Sequence, residues 1–107
     1  MNIYIDIDET IFYKSNGLDY TTAKPNIECV KKVNELFEDG HTITLWTARG
    51  TQTGIDWKET TKKQLIDCGI KYHNLKMGKP AFDLFIDDKA INSDNFNWIN
   101  NIKKYIR

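Results

Sequence analysis

The stretch that decides the fold is IYIDIDET, residues 3–10. It begins with β-branched and aromatic residues, a composition typical of a buried strand over 3–7, and contains two aspartates spaced by one, Asp6 and Asp8. Side chains at i and i+2 of a strand point to the same side, so Asp6 and Asp8 are expected to share one site. A carboxylate in an apolar strand costs several kcal/mol unless it is paired or binds a cation. The stretch therefore predicts a buried strand with an acidic site at its end.

Apolar periodicity and turn residues divide the rest of the chain into alternating helices and strands. The first part contains a hairpin turning at Asn16-Gly17, a helix from Pro25 to Gly40 with the stripe Ile27, Val30, Val33 and Phe37, and a strand over 42–46. Then follow a helix from Asp56, with Glu59 as its capping partner, to Gly69, a short strand over 70–73, a strand over 81–86, and a last helix capped by Ser93 or Asp94 with the stripe Phe96, Ile99, Ile102 and Ile106. This alternation predicts an α/β fold, a three-layer αβα sandwich whose parallel sheet is covered on both faces.

Size and composition fit one small domain. The chain has 107 residues, which suits a single domain over 1–107. Its formal net charge is zero, so the basic surplus of nucleic-acid-binding domains is missing and no obligate nucleic-acid partner is expected. No apolar run approaches the roughly 20 residues that cross a bilayer, so no membrane partner is expected. Cys29 and Cys68 stand outside any CxxC pattern, which favours free thiols in a reducing cytoplasm.

Polar residues also follow the other predicted strands where each strand ends. WTARG, residues 46–50, closes the second strand with the hydroxyl of Thr47 and several main-chain amides. Lys79 stands just before the last predicted strand, which ends in Asp87 and Asp88. Adjacent carboxylates repel each other without a cation. A purely structural role is therefore less plausible for Asp87 and Asp88 than for Thr47 or Lys79. Because ligands of parallel α/β sheets bind beyond the carboxyl ends of the strands, we expect these groups to meet the first acidic pair.

In order and type these motifs resemble those of the haloacid dehalogenase-like (HAD) phosphohydrolase superfamily. The matching segments are DIDET at 6–10, Thr47, Lys79 and FIDD at 85–88. The resemblance implies a Rossmann-like parallel sheet with a β-hairpin flap after the first strand. Many members carry a cap domain between these motifs, but here the predicted elements fill the intervals. A small capless member is therefore expected.

The resemblance also assigns roles to the motif residues. Asp6 would attack phosphorus and form an aspartyl-phosphate, while Asp8 would act first as general acid and then as general base. Thr47 and Lys79 would complete the catalytic group, the first holding phosphoryl oxygens and the second offsetting negative charge. The implied substrate-binding residues are Thr47, Ala48, Arg49 and Lys79, and the implied metal-binding residues are Asp6, Asp8, Asp87 and Asp88.

Electrostatics supports a metal in such a site. A carboxylate about 4 Å from a dianionic phosphate is repelled by about 8 kcal/mol at an effective dielectric of about 20. One lysine does not offset this repulsion together with that among the acidic residues. A hard dication does, and Mg²⁺ commonly binds one or two carboxylates, a phosphate oxygen and waters. By resemblance the cofactor is Mg²⁺, bound directly by Asp6, Asp87 and the main-chain carbonyl of Asp8, with Asp88 acting through water or by orienting Lys79.

The implied function is a Mg²⁺-dependent phosphomonoesterase acting on a phosphorylated small molecule. The WTAR and IDDKA segments are similar to those of small bacterial phosphatases of surface-polysaccharide and sugar-phosphate metabolism, which puts sugar phosphates first among substrates. A capless cleft is expected to be open, which suits bulky substrates or a homo-oligomer whose second subunit supplies walls. Residues 49–55 and the hairpin would then provide selectivity. Alternatives are a polynucleotide or phosphoprotein phosphatase and a non-enzymatic receiver-like or binding protein.

Overall fold

The described strands form one parallel sheet. The computed structural model describes residues 1–15, 17, 19–95 and 98–106. Its strands are β1 (Asn2–Asp6), β2 (Thr42–Trp46) and β3 (Asn74–Lys76), in the spatial order β1-β2-β3. Its α-helices are α1 (Ile27–Glu38), α2 (Lys58–Cys68) and α3 (Trp98–Asn101), with 3-10 turns at Tyr20–Thr22 and Ile102–Tyr105. The predicted α/β class with a parallel sheet is confirmed.

Strand register assigns apolar and polar residues to opposite faces of the sheet. Ile3 lies opposite Ile43 and Ile5 opposite Leu45, so these four side chains share one face and contribute to the hydrophobic core. Asp6 lies opposite Trp46 on the other face. The first predicted strand thus forms in the predicted place, with its acidic residue at the carboxyl end.

Helix α1 forms where the sequence predicts it. The Asn26 side chain accepts a hydrogen bond from the amide of Cys29 at 3.4 Å, which caps the first turn. Val30 and Val33 are buried as predicted, whereas Ile27 is 52% exposed. The buried stripe is therefore rotated from the predicted one, and its members are Cys29, Val30, Val33 and Leu36.

Helix α2 has the predicted end and a modified start. Gly69 closes it with φ 73°, and its amide donates to the carbonyl of Ile66. At the start, Trp57 is the N-cap residue without a side-chain bond, while Asp56 accepts from the amide of Lys58 at 3.0 Å. Among the described residues no helix is long and apolar enough to cross a membrane.

Two predicted strands are wrong. The short strand over 70–73 does not form, because the hydrogen-bonded register with β2 begins at Asn74. The strand over 81–86 does not form either, and every residue of 81–90 is exposed. Isolated apolar runs resemble strands by composition alone, but a strand exists only where a neighbour pairs with it.

The ends of the predicted flap and of the last helix also differ from expectation. The Ser93 hydroxyl, one of the two predicted caps of the last helix, accepts from the Thr10 hydroxyl at 2.9 Å, and the described part of that helix is Trp98–Asn101. Phe96 of the predicted stripe lies outside the described residues, as does Asn16 of the predicted hairpin turn. The described part of the predicted flap, residues 11–21, contains no strand; Phe12 forms an isolated antiparallel bridge with Pro25, and a 3-10 turn lies at Tyr20–Thr22. This segment is called the flap below.

Candidate active site

The carboxyl end of β1 places Asp6 beside Lys79. Asp6 is the last residue of β1, and its Oδ1 lies 3.4 Å from the Lys79 Nζ. Burial raises the pKa of the Asp6 carboxyl, while the Lys79 ammonium and the Ile7 amide oppose that rise. A neighbouring charge on Asp8 raises the same pKa further. Asp6 is therefore a partly buried carboxylate at the end of a strand, and the Lys79 ammonium is its ion-pair partner.

A tight turn follows β1 and presents Asp8. The Ile7 carbonyl accepts from the amides of Ile11 and Phe12 at 2.9 and 3.0 Å. Glu9 has φ 63°, a left-handed conformation that is uncommon for a residue with a side chain. Such strain persists only where the surroundings hold it, and it concentrates at functional sites. The turn directs the chain away from the sheet immediately after the second acidic residue.

Arg49 binds Asp8 through two hydrogen bonds. The Arg49 Nε donates to Asp8 Oδ2 and Nη2 to Oδ1, both at 2.9 Å, a bidentate ion pair. The Arg49 side chain is wholly buried and its Nη1 donates to the Thr61 hydroxyl and the Gln64 side-chain carbonyl at 3.0 and 2.5 Å. Its guanidinium carbon also lies 4.8 Å from the centre of the Tyr20 ring. In this arrangement Arg49 binds protein groups, and its predicted contact with substrate stays a prediction.

Thr47 joins the end of β2 to the segment that carries Lys79. Its amide donates to the Lys76 carbonyl and its carbonyl accepts from the Lys79 amide, both at 3.0 Å. Its hydroxyl accepts from the Arg49 amide at 3.1 Å, and the residue is only 1% exposed. Thr47 thus fixes the backbone positions of both cationic residues. Its direct contact with a phosphoryl oxygen stays a prediction.

Lys79 lies between Asp6 and two aromatic rings. Its Nζ is 5.8 Å from the centre of the Trp46 ring and 5.4 Å from that of Phe82. Its side chain is 18% exposed, and its carbonyl accepts from the Thr51 hydroxyl at 2.8 Å. The ring faces and the Asp6 carboxylate hold the Lys79 side chain in place, so it is not a free surface lysine.

Asp87 and Asp88 are not brought to this site. Both are exposed, and Asp87 Oδ1 accepts from the amide of Lys89 at 2.7 Å in a local turn. Across residues 1–15, 17, 19–95 and 98–106, no three His, Cys, Asp or Glu side chains come together so as to hold a metal ion. The four acidic residues do not fit a Mg²⁺ site as they are arranged here, because Asp6 and Asp8 each bind a basic side chain and the other two lie apart from them.

A cavity of about 160 Å³ opens beside the Arg49 loop. Ala48, a predicted substrate-binding residue, lines it, as does Tyr20 from the flap. The other lining residues are Gly50, Gln52, Thr53, Ala81, Phe82 and Asp83. The predicted selectivity elements, residues 49–55 and the flap, therefore contribute walls to one common space.

Comparison with known proteins supports the fold. No family model matches the chain, and no curated protein matches it. A structural-genomics target from Vibrio cholerae, solved as a crystal structure, is similar to it in fold. The match has a TM-score of 0.79 at 22% sequence identity and covers 100% of each chain. At this identity the likeness concerns the fold alone.

Sequence reasoning missed the partners of Arg49. Thr61 and Gln64 stand one turn apart on α2, and they face the same group because residues at i and i+3 of a helix are neighbours. Thr61 is 0% exposed, a burial unusual for a threonine in a largely polar helix. The signal available in the sequence was weak: two polar residues on the side of α2 that carries Leu65.

Proposed function

We propose that the protein is a phosphohydrolase that cleaves phosphate monoesters through nucleophilic attack by Asp6. The observation that carries the proposal is the Lys79 Nζ at 3.4 Å from Asp6 Oδ1, at the carboxyl ends of parallel strands where such sheets bind ligands. A carboxylate nucleophile forms a covalent intermediate and so divides hydrolysis into two easier steps. A neighbouring ammonium offsets part of the repulsion between this carboxylate and the incoming phosphate.

The proposed first step forms one bond and breaks one bond. An Asp6 oxygen bonds to phosphorus, the ester P–O bond breaks, and the leaving oxygen takes the electron pair together with a proton from Asp8. In the second step water attacks the aspartyl-phosphate, Asp8 accepts a proton from that water, and Asp6 and inorganic phosphate are released. Asp8 thus returns to its starting protonation state after one turnover.

Each oxygen of Asp8 keeps a second lone pair while Arg49 stays bound, because Arg49 uses one lone pair on each. A proton on that second lone pair points away from the guanidinium. The side chain of Asp8 is 24% exposed, so a substrate oxygen has access to it.

The proposal includes Mg²⁺ and a fourth strand, which together require a rearrangement of residues 81–88. Within the described chain β1 pairs on one side with β2 and has no strand on its other side. Leu84 and Ile86 are 76% and 87% exposed, a costly state for an apolar run. Pairing of this run with β1 would bring Asp87 and Asp88 towards Asp6 and extend the sheet of the proposed three-layer sandwich with its hairpin flap. The bound ion would supply positive charge between the carboxylates and the phosphate.

Sugar phosphates are our first candidates for the substrate. Tyr20, Gln52 and Thr53 give the cavity beside Arg49 an aromatic face together with amide and hydroxyl groups. This combination suits a polyhydroxylated ring, which can stack and hydrogen-bond at once. Exchange of residues 51–55 for another sequence of equal length, which keeps Arg49 and Gly50 in place, should change the ranking of kcat/KM across a panel of phosphate esters. An unchanged ranking would reject a selectivity role for this loop.

The test of the proposed function is hydrolysis of p-nitrophenyl phosphate with Mg²⁺, with EDTA, and by Asp6→Asn. We expect turnover in the first case alone. Asp67→Asn, which changes an exposed carboxylate on α2, is the matched control and should keep full activity. Undiminished turnover by Asp6→Asn would rule out the nucleophile. A persistent phospho-adduct without turnover would instead indicate a receiver-like signalling protein.

A further inference from the structure

Arg49 connects Asp8 to three other parts of the chain. The bidentate pair fixes Asp8 at the end of β1, while Thr61 and Gln64 hold the same guanidinium from α2. Gln64 then donates from its Nε2 to the Tyr20 carbonyl at 2.7 Å, which ties α2 to the flap. The side chains of Asp8, Arg49 and Gln64 and the main-chain carbonyl of Tyr20 thereby form one continuous network that joins the end of β1, the loop after β2, α2 and the flap.

We propose that Arg49 is the positioning residue of Asp8 and that α2 and the flap hold it in place. This inference rests on the proposed function, in which Asp8 transfers protons. It assigns Arg49 to the general acid rather than to the substrate, because the Arg49 side chain is 0% exposed while that of Asp8 is 24% exposed. Substrate therefore reaches Asp8 before it reaches Arg49.

The geometry explains why an arginine suits this position. A guanidinium is planar and offers a rigid fork of donors, so it fixes the plane of a carboxylate as well as its position. Arg49 uses one side of the fork for Asp8 and the remaining Nη1 for Thr61 and Gln64. A lysine in its place provides a point charge without the fork. Proton transfer needs a donor within hydrogen-bond reach of the leaving oxygen, so a rotated carboxylate loses rate even when its charge is intact.

The experiment compares two esters whose leaving groups differ in their need for a proton. p-Nitrophenol leaves readily as an anion, whereas an alkyl alcohol requires general-acid help. The activities of wild type, Asp8→Asn, Arg49→Lys and Gln64→Met are measured on p-nitrophenyl phosphate and on an alkyl phosphate. We expect Arg49→Lys to lose at least about tenfold more kcat/KM on the alkyl ester than on the aryl ester, with the same preference as Asp8→Asn. The comparison uses kcat/KM because this quantity reports the first step, whereas hydrolysis of the aspartyl-phosphate, which is the same for both esters, also contributes to kcat.

A double-mutant cycle separates positioning from a general loss of structure. Asp8→Asn with Arg49→Lys should cost little more kcat/KM on the alkyl ester than Asp8→Asn alone, because residues that act through one another are not additive. Gln64→Met should also lose more activity on the alkyl ester than on the aryl ester, but by a smaller factor than Arg49→Lys. This variant tests the positioning role in case Arg49→Lys folds poorly. Val33→Ala, a core substitution in α1, controls for lost stability and should affect the two esters equally.

The outcomes distinguish this inference from the proposed function. Wild-type hydrolysis of both esters combined with equal losses in Arg49→Lys would overturn the positioning role and leave the phosphohydrolase intact. Additive losses in the double mutant would overturn it as well. A wild-type protein inactive on both esters would reject the phosphohydrolase, and the positioning role with it.

Discussion

Lys79 and Asp6 form an ion pair although they are far apart in the sequence, since Asp6 ends β1 and Lys79 follows β3. The Lys79 Nζ lies 3.4 Å from Asp6 Oδ1, and the Lys79 amide is held by the Thr47 carbonyl at 3.0 Å. The backbone bond fixes where the lysine starts, and the rings of Trp46 and Phe82 guide its side chain. The pair is therefore built by β2, which lies next to β1, and its geometry depends on the sheet register.

Asp6→Asn should stabilise the protein at neutral pH while it abolishes activity. Burial raises the pKa of Asp6, so the folded state binds the proton more tightly than the unfolded state does. The contribution of the protonated Asp6 carboxyl to the free energy of unfolding is fully present below the ordinary pKa of 3.8. It is lost as the pH rises through the pKa of Asp6 in the folded state. Since the side chain is 38% exposed, solvent screening limits the gain in the free energy of unfolding to less than about 1 kcal/mol.

Urea unfolding of both proteins across the acidic range measures this effect. The difference in unfolding free energy should be near zero at low pH and should favour Asp6→Asn as pH rises. Asp67→Asn, exposed on α2, should differ from wild type by less than about 0.5 kcal/mol throughout. A neutral-pH loss of stability in Asp6→Asn would show that the Lys79 pair outweighs the cost of burial.

Gly50→Ala should disrupt the loop that carries Arg49. Gly50 has φ 82°, and a Cβ there would lie 2.1 Å from the Ile55 carbonyl oxygen, which is backbone and cannot move aside cheaply. Gly54 has φ 77° with nothing within 4 Å of an added Cβ, so Gly54→Ala is the matched control. We expect a cost of about 1–2 kcal/mol for Gly54→Ala and about 3 kcal/mol or more for Gly50→Ala. Equal costs by thermal unfolding would show that φ alone determines the requirement for glycine.

Local patterns predicted the elements that are specified locally. Pro25, the spacing of Val30 and Val33, and Gly40 mark α1 within a few residues of its observed bounds, because helix start and stop signals and apolar periodicity act over one or two turns. The same holds for β2 and for the Gly69 end of α2. The position of Asp6 followed from the composition of β1 alone.

Longer-range relationships were less accessible. β3 starts at Asn74 because this residue pairs with Thr44. The composition of residues 70–73 contains no information about that pairing. The bond between Arg49 and Asp8 joins two loops, and no periodicity encodes such a pair. Residues 81–86 have the composition of a strand, yet whether they pair depends on the free edge of β1 and the charges beyond it.

Cys29 should be inert towards thiol reagents in the folded protein. It is 0% exposed, and burial raises the pKa of its thiol to about 12, so the reactive thiolate is scarce at pH 8. In Cys68→Ser, which leaves Cys29 as the sole thiol, reaction with Ellman's reagent should be at least about a hundredfold slower in buffer than in guanidinium chloride. Rapid labelling of the native variant would indicate that the contacts between α1 and the sheet open frequently.

If Mg²⁺ binds as proposed, Ile86→Ser should weaken the stabilisation of the protein by this ion. In the present structure Ile86 is 87% exposed, so the substitution should change the metal-free unfolding free energy by less than about 0.5 kcal/mol. If residues 81–86 pair with β1 when the ion binds, wild type should gain stability with millimolar Mg²⁺ because the ligand binds only the folded state. Ile86→Ser should gain much less, since the paired strand would bury this side chain.

Ile66→Ser provides the matched control for that experiment. Ile66 is 74% exposed on α2, far along the chain from the acidic pair, and its replacement should leave the Mg²⁺-dependent gain unchanged. Thermal melts with MgCl₂, CaCl₂ and EDTA compare the three proteins. A Mg²⁺-dependent gain that is equal in wild type and Ile86→Ser would mean that the ion binds without docking of this run, and Asp87 and Asp88 would then have no route to Asp6 by strand pairing.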